Sequence, residues 1–223
     1  MSLRLVVWDM DGTLVDSRNV IQDAMTRAFE DLGMTPPPYD QTRQIVGLSL
    51  DEACRKLVPE GFPPGELGRL VEAYKNAFIF TRTQPDFKEP LYEGAVDLLE
   101  TLANQNCLLA LATGKSHRGI EAVFERHGIG RYFDTIWCAD DGPGKPHPFM
   151  VLEAMKAVGV EPDQTAMVGD AIFDIQMGNA AGVTTHGVTW GFGARHELEA
   201  VGAHHLHTSM DELSLALNEF AKV

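Results

Sequence analysis

Leu3-Arg4-Leu5-Val6-Val7-Trp8-Asp9-Met10-Asp11-Gly12-Thr13 is the stretch on which the fold and the chemistry turn together. A short apolar run that ends in a turn signal reads as a buried strand. Here it delivers two carboxylates, two residues apart, into a turn that contains glycine. One carboxylate can attack an electrophile and hold a metal, and the other can move a proton. That division of labour suits phosphoryl transfer. Taken alone, Asp11 and Thr13 would serve equally well as turn and helix-capping residues, so the rest of the chain has to decide.

Downstream, apolar runs alternate with helical patterns. Strands are expected at Leu3-Trp8, Leu108-Thr113, Thr165-Val168 and Thr184-Val188, with weaker ones at Thr135-Cys138 and His204-Leu206. Helical periodicity fills Ala95-Gln105, Arg118-His127, Phe149-Val158, Ile172-Ala181 and Met210-Ala221, and Gly128, Gly159 and Gly182 stand where helix C-caps are expected. Strand-helix alternation with short links predicts a doubly wound parallel sheet, an α/β core of Rossmann-like type. Right-handed crossovers put all strand C-termini on one edge, where ligands bind.

One interval breaks this rhythm. Between Asp16 and about Pro85 the sequence offers helices only, at Asn19-Leu32, Tyr39-Ile45, Ser49-Val58 and Glu66-Thr81, separated by Gly33 with Pro36-Pro37-Pro38, by Gly47 and by Pro59 to Pro64. We expect residues 1–15 and 84–223 to form the α/β core and residues 16–83 an inserted α-helical cap. An insertion at that point sits over the strand ends, as a lid would.

Composition narrows the class. The chain has 223 residues, 44% hydrophobic and 22% charged, as in an ordinary globular protein with one sizeable core. No apolar run approaches the roughly 20 residues that span a bilayer. Leu3-Trp8 is too short for a secretory signal. The three cysteines, Cys54, Cys107 and Cys138, are odd in number and widely spaced, so neither a disulfide framework nor a cysteine zinc site fits. The cytoplasm is the expected compartment. A net charge of -14 disfavours nucleic acid and anionic membranes as partners. It also opposes an anionic phosphate substrate, unless a nearby cation outweighs distant surface charge across a Debye length of about 8 Å. A phosphate-handling site therefore requires a local lysine and a divalent cation.

The sequence supplies such a constellation. Asp9 and Asp11 come first. Thr113 closes an apolar run and is followed by Gly114, a place where a hydroxyl and backbone N–H groups can bind phosphate oxygens. Lys145 stands in Gly142-Pro143-Gly144-Lys145-Pro146-His147-Pro148, where prolines on both sides restrict the loop around a single ammonium. Asp170 follows Ala166-Met167-Val168-Gly169, and Asp174 lies one helical turn later. Asp170 can ligate a metal together with Asp9, and Asp174 can orient Lys145 or a metal-bound water. Each feature has an ordinary structural explanation on its own. Acids at the ends of two separate core strands do not.

Together these residues resemble the haloacid dehalogenase superfamily of phosphohydrolases, whose four motifs occur here in the family's order across nearly the whole chain. Val15-Asp16-Ser17 and Gly187-Val188-Thr189-Trp190-Gly191 are most similar to its phosphoglycolate phosphatase-like branch, and the helical insert resembles a C1-type cap. The resemblance implies that Asp9 forms an aspartyl-phosphate and that Asp11 protonates the leaving oxygen and then activates water. It implies Mg2+ held by Asp9, the Asp11 backbone carbonyl and Asp170, and a phosphoryl group bound by Thr113, Gly114 and Lys145. The expected function is a magnesium-dependent phosphatase for a small phosphorylated metabolite. Dehalogenases and phosphonate-cleaving relatives lack the second aspartate. A β-phosphoglucomutase-type sugar phosphomutase is the enzymatic alternative, although Asn19-Val20-Ile21-Gln22 lacks that branch's histidine. A noncatalytic phosphate-responsive protein is the alternative from another class. Substrate identity and oligomeric state are left open.

Some residues carry weaker expectations. Arg43, Ser49, Arg55 and Lys75 of the cap are candidates to meet the leaving group. His205 and His207 share a strand face but make a poor zinc site, so His204 to His207 is expected to be a solvated terminal strand. Trp8 is expected in the core, His147 in solvent, and Trp190-Gly191-Phe192-Gly193 as a turn beside the active edge.

Overall fold

The computed structural model describes residues 3–105 and 107–222. β1 (Arg4–Trp8) is followed by four helices, α1 (Arg18–Asp31), α2 (Tyr39–Arg43), α3 (Leu50–Leu57) and α4 (Pro64–Arg82). The chain then returns through α5 (Ala95–Asn104), β2 (Cys107–Thr113), α6 (His117–His127) and β3 (Thr135–Cys138). The second half runs α7 (Phe149–Val158), β4 (Thr165–Gly169), α8 (Ile172–Ala180), β5 (Thr184–Val188), α9 (Arg195–Ala200), β6 (His205–His207) and α10 (Met210–Lys222).

The sheet order is β3-β2-β1-β4-β5-β6, and all five pairings are parallel. β1 is flanked by β2 on one side and β4 on the other, so the winding reverses there and a crevice opens beyond the strand ends. Asp9 leaves β1 and Asp170 leaves β4 at this reversal.

Period-two alternation explains the layers. Val6 and Trp8 pack with Leu98, Leu102, Ile120 and Leu213 on one face. Leu5 and Val7 pack with Met150, Val151, Met167 and Met177 on the other. Both faces of β1 are buried, which is why its sequence is nearly continuously apolar. The inserted helices share a third cluster, in which Ile21, Met25 and Phe29 of α1 meet Cys54 of α3 and Leu70 of α4. Ala171, Phe173 and Phe192 join that cluster from the sheet side.

The expected strands and helices are present, with shifts at their ends. Gly128 and Gly159 cap α6 and α7 in the left-handed region, at φ 68° and 73°. α9 was not foreseen from the sequence, because six residues are too few to show a helical period. The terminal histidines require a correction. His205 is exposed, but His207 is buried, with its Nε2 3.0 Å from Nδ1 of buried His186. β5 pairs with β6 and brings the buried His186 ring against His207, a neighbour invisible to local reading. Cys54, Cys107 and Cys138 are buried free thiols. Among the described residues, no helix is long and apolar enough to cross a membrane.

Candidate active site

Asp9 is fixed at the sheet edge by its own backbone, whose N–H donates to Val168 O at 2.9 Å. The chain then folds tightly back: Leu14 N–H and Val15 N–H both donate to Met10 O, and Gly12 N–H donates to Val15 O. Gly12 has φ 88°, and a Cβ there would run into the Asp170 carboxylate and the Phe192 ring. Only glycine permits both that backbone conformation and that close approach. Inside the turn, Thr13 Oγ1 lies 3.1 Å from Asp170 Oδ1 and 3.4 Å from Asp9 Oδ2, which ties the two strand-end carboxylates together.

Lys145 is fully buried and reaches the same point from its loop. Its Nζ donates to Asp9 Oδ1 at 2.5 Å. It also lies 2.6 Å from Asp174 Oδ1, a charge contact rather than an aligned hydrogen bond. Asp174 Oδ2 accepts the Ala171 N–H at 2.9 Å, so this carboxylate caps α8 while facing the lysine. Asp170 Oδ2 accepts the Phe192 N–H at 2.6 Å. Neither the Thr13 bridge nor the Phe192 donor was foreseen. The sequence marks Thr13 only as a turn residue, and a backbone N–H from a distant turn leaves no side-chain signal.

Three buried carboxylates cluster around one buried lysine, which touches two of them, Asp9 and Asp174. Burial raises the pKa of Asp9 to about 7, and the neighbouring Asp174 and Asp11 add to this while Lys145 opposes it. Burial, then the charges of Asp9 and Asp174, push Asp170 well above the usual carboxylate range. Burial disfavours the Lys145 ammonium, but Asp174 and Asp9 outweigh it, and its pKa rises. The opposed directions have one meaning: the lysine is firmly cationic and the carboxylates lack positive charge. Asp9, Asp170 and Asp174 each offer an oxygen, and these atoms lie within 4.8 Å of one another. An all-oxygen donor set with surplus negative charge fits a hard divalent cation.

A cavity of about 340 Å³ opens in front of Asp9. Asp11, Thr113, Gly114 and Lys115 line its sheet side, and residues 45–51, Tyr74 and Phe78 line the opposite wall. Gly114 lies so close to the inserted helices that an added Cβ would fall 2.7 Å from Gly47 O and 2.6 Å from Leu48 O. The expected residues therefore divide into two groups. Asp9, Asp11, Thr113 and Gly114 face the cavity, while Lys145, Asp170 and Asp174 stand behind Asp9.

Of the weaker candidates, Ser49 and Lys75 line this cavity. Arg43 does not. Its guanidinium grips Glu197 at 2.8 and 3.1 Å, beside a separate cavity of about 600 Å³ that contains none of Asp9, Asp11 and Asp170. Arg55 is exposed and lines neither cavity. Asp11 has an unforeseen partner: Lys115 Nζ donates to its Oδ1 at 2.8 Å. The only signal for Lys115 was its place directly after Thr113-Gly114.

A family model for haloacid dehalogenase-like hydrolases matches residues 6–188. The chain is 35% identical over 200 residues to "Probable phosphatase IndB" of Dickeya dadantii, with 88% of this chain and 85% of that protein covered. It is 31% identical over 199 residues to the phosphoglycolate phosphatase of Pseudomonas putida, covering 88% of this chain and 73% of that one. In three dimensions it superposes on the crystal structure of a hydrolase from Pseudomonas syringae with a TM-score of 0.83 at 26% identity, over 97% of this chain and 98% of that one.

Proposed function

The chain belongs to the haloacid dehalogenase-like hydrolase family, and we propose that it is a magnesium-dependent phosphatase that hydrolyses a small phosphate monoester through an aspartyl-phosphate, with phosphoglycolate as the leading candidate. The observation that carries this reading is the pairing of Asp9 with Lys145 at 2.5 Å, with Asp9 lining a cavity that Thr113 and Gly114 also line.

In this reading Asp9 attacks phosphorus, the P–O bond to the alcohol breaks, and Asp11 gives its proton to the departing oxygen. Asp11 then takes a proton from water as that water attacks the phosphoaspartate, which frees Asp9 and inorganic phosphate. Thr113 and the Gly114 N–H hold phosphoryl oxygens. Lys145 keeps Asp9 ionised and aimed, and Asp174 holds Lys145 in place. Asp9, Asp170 and the Asp11 carbonyl would hold Mg2+, which when bound neutralises charge on the transferring group. Positioning and charge stabilisation account for the rate. Residues 16–83 act as the lid that excludes water and selects the alcohol.

The test is a phosphate-release screen over small phosphorylated metabolites with Mg2+, using Asp9→Asn as control. The parent should turn over and the variant should not, while keeping its fold by circular dichroism. Equal rates would remove Asp9 as nucleophile, and an isomeric sugar phosphate in place of inorganic phosphate would favour the mutase reading. Asp11→Asn should impair alkyl phosphates more than nitrophenyl phosphate, whose leaving group needs little protonation. Uniform loss would count against the proton-transfer role.

A further inference from the structure

Asp11 does not point freely into the cavity. Lys115 holds its Oδ1 at 2.8 Å, and this lysine side chain is only 9% exposed. The same ammonium lies 3.8 Å from Glu89 Oε1. Glu89 is an odd residue to bury. Its side chain is inaccessible to solvent, yet Oε1 has no hydrogen-bond partner and Oε2 has only a 3.3 Å contact from Arg82. A buried carboxylate with an unmet acceptor is costly, and such a group calls for an explanation. Two donors stand near it: Arg82 Nε, which is buried without a partner, and the Lys115 ammonium, which at 3.8 Å from Oε1 is just outside hydrogen-bond reach. An ammonium has three donors on a flexible stem, so it can serve two carboxylates in turn.

The surroundings connect this group to the inserted helices. Arg82 is the last residue of α4, and Phe78 of the same helix lies 5.3 Å beneath the Lys115 ammonium and 4.8 Å from the Arg82 guanidinium. Glu89 stands in the segment that carries the chain from α4 back to the sheet, and its carbonyl accepts from His127 of α6 at 2.9 Å. The unmet oxygen is thus anchored on the sheet side, while the aromatic face and the arginine come from the inserted helices.

We propose that Lys115 is the positioning residue of Asp11 and that Glu89 is its second seat. At rest Lys115 holds the Asp11 carboxylate aside. When Asp11 turns toward the phosphoryl group, Lys115 crosses to Glu89 Oε1, satisfies it, and releases Asp11 for its work. Displacement of α4 on closure, carrying Phe78 and Arg82, favours the crossing. The inference rests on the phosphatase reading for its kinetics but not for its geometry, and the tests separate the two.

The kinetic arm compares Lys115→Met, Lys115→Arg and Glu89→Gln. Glu89→Gln should lower kcat for alkyl phosphates roughly tenfold and change nitrophenyl phosphate turnover less, because the lysine loses its charged alternative and stays on Asp11. Lys115→Met, which removes this ground-state contact, should raise kcat for alkyl phosphates above that of the parent with KM within about twofold, and Lys115→Arg, which keeps a cation on Asp11, should not. Alkyl phosphates slowed by Lys115→Met would overturn the proposal. A rise in KM with kcat intact would make Lys115 a substrate-binding residue and overturn the proposal. Because Lys115→Met leaves Glu89 short of positive charge, the Lys115→Met/Glu89→Gln double variant controls for folding, and it should lack the alkyl-phosphate loss of Glu89→Gln, since no lysine is left to hold Asp11.

The structural arm needs no turnover. Crystals of the parent with Mg2+ and orthovanadate should place Lys115 Nζ within hydrogen-bond distance of Glu89 Oε1, with Asp11 turned away from it. In crystals of Lys115→Met without additions, the Asp11 carboxylate should leave its present position. Asp11 unmoved in the variant, or Lys115 still on Asp11 in the vanadate complex, would overturn the proposal. A parent that releases no phosphate but passes the structural arm would sink the phosphatase reading alone.

Discussion

Lys145 and Asp9, 136 residues apart in the chain, are joined by a 2.5 Å contact between buried groups. Removing one partner of a buried pair leaves an uncompensated charge, and here two carboxylates would lose the same cation. Lys145→Met should therefore destabilise the protein by about 3–5 kcal/mol, read from urea unfolding at neutral pH in EDTA. Adding Asp9→Asn to that variant should restore part of the loss. A cost below about 1 kcal/mol would mean that the pair contributes little to the fold.

The surplus of buried negative charge predicts a response to divalent cations. The parent should melt higher with Mg2+ than in EDTA, by about 2.7 kcal/mol when the ion is at 100 times its Kd. Asp170→Asn should be at least as stable as the parent in EDTA, because one of the mutually repelling carboxylates is gone, and it should gain little from Mg2+. Differential scanning calorimetry distinguishes these cases, and an equal gain for both proteins would remove Asp170 as a ligand.

At Gly114 the sheet side closely approaches the Gly47-Leu48 loop between the inserted helices. Gly114→Ala would place a methyl group against the carbonyls of Gly47 and Leu48, so that loop must retreat. Backbone atoms yield less readily than side chains. The expected result is a destabilisation of about 1–3 kcal/mol, in the range for overpacking, together with a higher KM for every substrate. Unchanged stability and KM would show that the loop moves without cost.

His186 links stability to pH. Burial, then the charges of His205, His207 and His204, lower its pKa to about 3. In the unfolded chain it titrates near the ordinary value of about 6.5. Between those values the unfolded state binds the extra proton. The stability from keeping His186 neutral is therefore complete above about pH 6.5 and is lost as pH falls, with a slope approaching about 1.4 kcal/mol per pH unit. Asp9 and Asp170, whose raised pKa values act in the opposite direction, titrate in the same range, so the check is a difference: in urea unfolding between about pH 7 and 5 the parent should lose stability relative to His186→Gln as pH falls. An equal slope in the variant would assign the acid sensitivity elsewhere.

What could be read along the chain and what could not differ in kind. Trp8, Asp9, Lys145 and Asp170 were legible because each sits in a local pattern: an apolar run ending in a turn, a proline-bounded loop, a strand followed by a helix. The burial of His207 escapes local reading because alternation cannot show that β5 brings His186 against it. Arg43 is a candidate substrate contact in sequence, yet it is committed to Glu197, 154 residues away. Glu89 was silent, because an acid beside a proline in a linker looks solvated until its surroundings are known.

The sequence by itself determined the order of elements, the parallel winding and the delivery of Asp9 and Asp170 to strand ends, since hydrophobic period, turn chemistry and crossover handedness act over short distances. Only the tertiary structure decided which lysine serves which carboxylate, Lys145 on Asp9 and Lys115 on Asp11. That choice depends on desolvation and on distances of a few ångströms between segments far apart in the chain, and these exist only once the layers have packed.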